Sequence, residues 1–198
     1  MTDHLPTITV HGPEGAHALR EPLLAIRAEV KGPLSANGDG AWLTRAATHP
    51  GFRLVTVHVD AELVGYAFGY TLKRSSRFWD GLLTPPEDPG LLVEDGRRTF
   101  VGGDMMVLPH HRGRGYSHLL HDTMAHSRPE QRAALVVDPD IAQHAAYRAW
   151  GWTTLGEYRF TPDSPTYLAM LHDLPLTPAR PRSRPPGRRI GEPATNTT

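Results

Sequence analysis

Residues 99–120 read TFVGGDMMVLPHHRGRGYSHLL. A strand-like apolar run, Val101 to Leu108, stops at Pro109. A basic turn punctuated by glycine follows, Arg112-Gly113-Arg114-Gly115. An amphipathic helix pattern then starts near Tyr116 and runs to about Ser127. The N–H groups of a helix's first turn have no intrahelical partner, and the helix dipole is positive there, so strand, turn and helix together form an anion cradle. The glycines let the backbone approach a phosphate in conformations that a Cβ forbids.

The stretches on either side continue an α/β pattern. Thr7 to Val10 alternates as a short strand. Ala16 to Val30 carries a helical stripe at Leu19, Leu23, Leu24, Ile26 and Val30, stopped by Gly32-Pro33, with Pro22 tolerable only near a first turn. Asp39 to Thr48 fits a second short helix. Phe52 to Val59 and Glu62 to Leu72 read as a hairpin about Asp60-Ala61. Residues 73–98 form a long connection, a length often given to functional loops. Ala133 to Val137 is a buried-strand run, Ile141 to Trp150 a helix stopped at Gly151. Trp152 to Phe160 and Tyr167 to Leu171 are closing strands.

Bulk properties bound the function. A chain of 198 residues suits one domain with a tail. The composition predicts a domain over 1–174 and a disordered Pro/Arg-rich tail over 175–198. Lys+Arg and Asp+Glu are equal at 21 each, so no global pull on nucleic acid or membrane is indicated. Cys is absent, which excludes disulfides, thiolate metal sites and a cysteine nucleophile. The first residues lack a signal-peptide pattern, and no apolar run approaches the roughly 18 residues of a membrane span, so a cytoplasmic protein is expected.

The turn is neither a dinucleotide fingerprint, since His118 stands where a third glycine is needed, nor a Walker loop. Arg112-Gly113-Arg114-Gly115-Tyr116-Ser117 resembles the acetyl-CoA loop of the GNAT superfamily of N-acetyltransferases, Gln/Arg-x-x-Gly-x-Gly/Ala, with Ser117 at the last position. Within Ala146 to Trp152, Tyr147 to Trp152 resembles the Tyr-x-x-x-Gly-Phe end of the family's closing signature, Ala-x-x-Tyr-x-x-x-Gly-Phe, with Tyr147 as the tyrosine and Trp152 for Phe. The resemblance spans about residues 5–174 and is strongest over 99–152. It implies an α/β fold with a mixed, mostly antiparallel sheet flanked by helices on both sides. It implies transfer of an acetyl group from acetyl-CoA to an amine by direct attack in a ternary complex. It places pantetheine along the strand edge Met105, Met106 and Val107, and pyrophosphate on the amides from Gly113 to His118. Asp140 stands where the family often has an Asn contacting the pantetheine arm.

The acid and base are read from residues and resemblance together. Tyr147 is the candidate proton donor to the CoA thiolate, with an ordinary pKa of about 10; a packing tyrosine is the plainer reading. Asp104 is the candidate base that takes the amine proton. In an alternating strand it shares a face with Phe100, Gly102 and Met106, between uncharged neighbours that allow a raised pKa. A structural Asp104 with water as the base is the alternative. His118 and His121 stand one turn apart, but spacing supplies no third ligand, so they read as exposed helix residues near phosphate and no metal is expected. Phe68, Tyr70, Phe78 and Trp79 are candidates for the acceptor wall. Two other classes remain: a GNAT-like module binding CoA or a partner without turnover, suggested by Ser117 and Asp140, and a nucleic-acid binder using the arginine-rich tail.

Overall fold

The computed structural model describes residues 5–32 and 40–175. The tail read as disordered lies outside the described residues from 176 onward. Seven strands form one sheet: β1 (Thr7–His11), β2 (Arg53–Val59), β3 (Glu62–Thr71), β4 (Thr99–Val107), β5 (Arg132–Val137), β6 (Thr153–Tyr158) and β7 (Tyr167–Asp173). Their order is β1-β2-β3-β4-β5-β7-β6. Only β4 and β5 run parallel; the other neighbours are antiparallel. The sheet is therefore mixed and mostly antiparallel, as the resemblance implied. The β2–β3 hairpin turns at Asp60 and Ala61, both with positive φ (50° and 68°), the conformation that matches the twist of paired strands.

Among the described residues five α-helices cover the sheet: α1 (Pro13–Ala18), α2 (Arg20–Lys31), α3 (Ala41–Ala47), α4 (Tyr116–Ala125) and α5 (Ala142–Ala149). The single helix expected over 16–30 is two. A proline ring collides with the carbonyl four residues before it. For Pro22 that residue is Ala18, where α1 ends, and Pro22 falls in the first turn of α2.

Register fixes which helix lies where. Thr56, Tyr66 and Phe68 share one face of β2 and β3. Trp42 of α3 stacks on Phe68 at 5.3 Å between ring centroids, so the first three helices serve this face. Arg53 points to the other face and donates to the carbonyls of Thr123 and Met124, at the end of α4. Tyr147 of α5 reaches Met105, on that same side. Helices thus flank both faces.

Two features of β4 shape everything downstream. First, its register with β3 runs Met106↔Tyr66, Met105↔Ala67 and then Gly102↔Gly69. Three steps of β4 pass two of β3, a β-bulge at Gly103-Asp104 opposite Phe68. A Cβ on Gly103 would lie 2.1 Å from Phe68 Cε2, so only glycine fits under that ring. The bulge corrects the alternation expected for this strand: Phe100 faces away from Asp104 and Met106. Arg128, just after α4, lies over the Phe100 ring at 4.0 Å, on the opposite face.

Second, β4 and β5 pair only at Thr99–Val101 with Arg132–Ala134. Beyond that point β4 continues on β3 as far as Val107, and β5 continues on β7 as far as Val137. The two parallel strands diverge into a V. Its closed end is clamped by a buried network. Trp79 Nε1 and Thr99 Oγ1 donate to Glu94 Oε1 (2.8 and 2.7 Å), and Arg132 Nε donates to Thr99 Oγ1 (2.8 Å). The 73–98 connection thus serves the core. Trp79 is buried with Leu72, Val101 and Ala134, and Phe78 packs beside it, so neither walls the cleft.

Candidate active site

The V opens into a cleft of about 800 Å³. One wall is β4 from Gly102 to Val107; the other is β5 with Asp138, Ile141 and Gln143 beyond it. Arg112 and Ser117 line it at the glycine turn before α4, Tyr147 and Trp152 at the α5 side, and Arg27 and Lys31 at the α2 side. The two sequence motifs, thirty residues apart in the chain, meet here.

The loop is built as its glycines suggest. Gly113 and Gly115 have φ of 75° and 83°, and a Cβ on either would meet nothing within 4 Å. Backbone conformation, and not crowding, calls for glycine at both. Gly115 is the N-cap of α4, with no side chain capping the helix. The loop from Arg112 to Gly115 is exposed, and Tyr116 and Ser117 are half-buried. Arg112 Nε donates back to the Val107 carbonyl at 3.3 Å, holding the loop to the end of β4. Arg114 and His118 are exposed at the rim.

Tyr147 projects from α5 toward β4, its hydroxyl 4.0 Å from Met105 Sδ. Its ring lies edge-on to Trp150 and Trp152, with centroids 5.5 and 5.7 Å away. Burial, reinforced by the negative charge of Asp104, pushes its hydroxyl up to about 12. The phenol keeps its proton throughout the physiological range.

Asp104 has different surroundings from those the sequence suggested. The chain neighbours are uncharged, but the fold brings cations from α2: Arg27 Nε donates to Oδ2 at 2.9 Å and Lys31 Nζ to Oδ1 at 3.0 Å. Both oxygens already accept charge-assisted hydrogen bonds. The pairs span 77 and 73 residues of sequence and are invisible to local pattern reading.

His121 is also not where it was expected. It is buried at 5% exposure, and its Nε2 accepts from the Trp152 indole at 2.9 Å. An indole N–H only donates, so Nε2 carries the lone pair and Nδ1–H donates to Asp122 Oδ1, also at 2.9 Å. Burial lowers its pKa against the opposing pull of Asp122. The signal was in the helix pattern: His121 and Ala125 continue the stripe of Leu120 and Met124, all four buried. The bond ties α4, which follows the glycine turn, to the segment behind Tyr147. His118 remains at the surface and stacks on Trp150 at 5.0 Å.

Asp140 does not reach the cleft. It lies exposed in the turn after β5, its backbone N–H donating to Asp138 Oδ1 at 2.9 Å, and Asp138 and Gln143 take the cleft wall instead. Phe68 does line the cleft; Tyr70 packs against His49 at 4.2 Å.

Solved structures with this fold are numerous. The chain is similar to a GNAT-family acetyltransferase of Bacillus cereus, with 14% identity over 85% of this chain and 97% of that one, at a TM-score of 0.58. It is similar to the ribosomal-protein-S18-alanine N-acetyltransferase of Escherichia coli, 12% identical over 95% and 100%, at 0.60. The fold is that of the GNAT acetyltransferases. A further GNAT-fold neighbour, yncA of Salmonella typhimurium, was solved with its cofactor acetyl-CoA; it is 13% identical over 90% of this chain and 99% of its own, at 0.55. No protein-family model matches the chain, and no curated protein matches its sequence. No helix among the described residues is long and apolar enough to cross a membrane.

Proposed function

We propose that the protein transfers an acetyl group from acetyl-CoA to an amine by direct attack in a ternary complex. One observation carries this reading: the divergence of β4 from β5 opens a cleft whose lining includes the anion loop at Arg112 and Ser117 and the hydroxyl-bearing Tyr147. The cofactor's parts find their counterparts in that order. Pyrophosphate takes the amides of Gly113 to His118, pantetheine lies along Met105 to Val107, and the thioester comes between Tyr147 and β4. Gathering both reactants in one cleft supplies much of the rate, since effective molarity contributes up to about 7–11 kcal/mol.

In this reading Tyr147 acts on the leaving group. With a pKa of about 12 the phenol does not hand its proton fully to a thiolate whose conjugate acid lies near 8.5. It donates a hydrogen bond to the sulfur as the C–S bond breaks. Asp104 holds Arg27 and Lys31 at the acceptor mouth, and the amine proton leaves through water.

The test is thiol release from acetyl-CoA across a panel of small amines and peptide N-termini. Amine-dependent release supports the reading. Acetyl-CoA binding with no release on any amine supports instead the binding module without turnover, which Ser117 and Asp140 first suggested. An Asp104→Asn variant separates the base assignments through the pH dependence of kcat/KM. Persistence of the acidic limb agrees with water as the acceptor, and its disappearance returns the base role to Asp104.

A further inference from the structure

Two clusters of histidine and carboxylate occur among the described residues: His118, His121 and Asp122 on α4, at the edge of the cleft, and Glu62, His110 and His111 at the start of β3 and the turn before Arg112. The first is spent. Trp152 donates into His121 Nε2, which forces the proton onto Nδ1, the atom that faces Asp122, so that nitrogen has no lone pair to offer a metal.

The second is differently arranged, and we propose that it is a binding site for a divalent transition metal such as Zn²⁺. Pro109–His111 forms a single 3₁₀ turn that directs two consecutive imidazoles to one carboxylate. His110 Nε2 lies 3.6 Å from Glu62 Oε1, and His111 Nε2 lies 3.4 Å from Glu62 Oε2. These separations are long for hydrogen bonds between a histidine and a carboxylate, which close to about 2.7–2.9 Å when charge-assisted. They match the spacing of two ligands on one tetrahedral ion, about 3.3 Å for metal–ligand bonds of about 2.0–2.1 Å. The three ligand atoms all lie within 4.8 Å of one another, and the two rings are 4.5 Å apart, tilted by 53°.

A second carboxylate completes the arrangement. Glu29 Oε1 of α2 stands 3.7 Å from His110 Nδ1. When Nε2 binds a metal the ring proton sits on Nδ1, and a carboxylate behind it fixes the tautomer and raises ligand basicity. His111 is 8% exposed, and among the described residues the long contact from Nε2 to Glu62 is its one side-chain hydrogen bond. A buried imidazole held this loosely is under-used in the metal-free chain. Two imidazole nitrogens and one carboxylate suit Zn²⁺ or Co²⁺ with solvent in the fourth position, and do not suit Ca²⁺ or Mg²⁺, which take oxygen ligands. The metal would tie the start of β3 to the turn that leads directly into Arg112.

The experiment uses the full chain stripped with a chelator and titrated with CoCl₂, with ZnCl₂ as competitor. Cobalt in a four-coordinate nitrogen–oxygen site gives a visible absorption band. The expected result is one equivalent of Co²⁺ bound with that band, displaced by Zn²⁺. Glu62→Gln and His110→Ala, both at exposed positions, should each weaken binding by about 10-fold or more, and Glu29→Gln by about 10-fold. Asp122→Asn, in the other cluster, should leave it unchanged. Absence of Co²⁺ uptake at millimolar concentration overturns the proposal, as does uptake that survives both Glu62→Gln and His110→Ala.

Discussion

Removal of one oxygen atom, in Tyr147→Phe, isolates the leaving-group step. The hydroxyl's hydrogen-bond partner in the structure is the Met105 thioether at 4.0 Å, a weak acceptor, so its loss should cost the fold only a few tenths of a kcal/mol. The ring packing against Trp150 and Trp152 survives in Phe. The effect on catalysis should be larger. A hydrogen bond to a developing thiolate is of the charged kind, worth about 1.5–3 kcal/mol, which corresponds to a drop of about 10- to 150-fold in kcat. The acetyl-CoA dissociation constant should change by less than about threefold, because the sulfur carries no charge in the ground state. The assay is a kcat and KM determination for acetyl-CoA beside a thermal melt. Because Tyr147 is raised to about 12, the parent enzyme should show no basic limb from this group below about pH 11. Equal kcat values in parent and variant would refute the reasoning and assign Tyr147 to packing.

Two further outcomes follow from the structure. His121 has a pKa below its ordinary 6.5, so the unfolded chain binds its proton first as the pH falls. Its contribution to stability is complete above about pH 6.5 and declines below it toward the folded-state pKa, and Trp152→Phe, which leaves Nε2 without its donor, should flatten that part of a urea-unfolding pH series. Gly103→Ala should lower stability by about 1–3 kcal/mol in denaturant melts, since the new methyl meets the rigid Phe68 ring at the bulge, whereas an unchanged midpoint would mean that the bulge can shift.

What could be read from the chain, and what could not, divides along physical lines. The β4–loop–α4 unit was legible because Pro109, Gly113 and Gly115 punctuate it, and because a helix N-terminus has one electrostatic character whatever the rest of the fold. The hairpin was legible from two β-rich runs and a short turn. The α1–α2 break was written at Pro22, but its position follows only once the clash with Ala18 is counted. The bulge was hidden. Adjacent glycines at 102 and 103 read as ordinary strand positions until Phe68, distant in sequence, is placed over Gly103. The same holds for Asp104, whose chain neighbours say nothing of Arg27 and Lys31. His121 reads as exposed from its polar ring, although its place on the buried stripe of α4 is visible in the sequence. Asp140 rests on analogy alone, and Asp138 after β5 and Gln143 of α5 line the cleft in its stead.

The proposed reaction requires acetyl-CoA in the gap between β4 and β5. The most direct measurement is the melting temperature of the full chain against acetyl-CoA concentration, with Gly115→Val and Arg112→Ala alongside. At about 100 times its dissociation constant the ligand should add about 2.7 kcal/mol, a rise of about 5–11 °C for a domain of this size. Gly115→Val places a branched side chain at a φ of 83° on the proposed pyrophosphate path, and should abolish the rise. Arg112→Ala should reduce it while leaving the ligand-free melt near the parent's. A melting temperature unmoved by millimolar acetyl-CoA, or a rise that persists in Gly115→Val, would contradict the central claim.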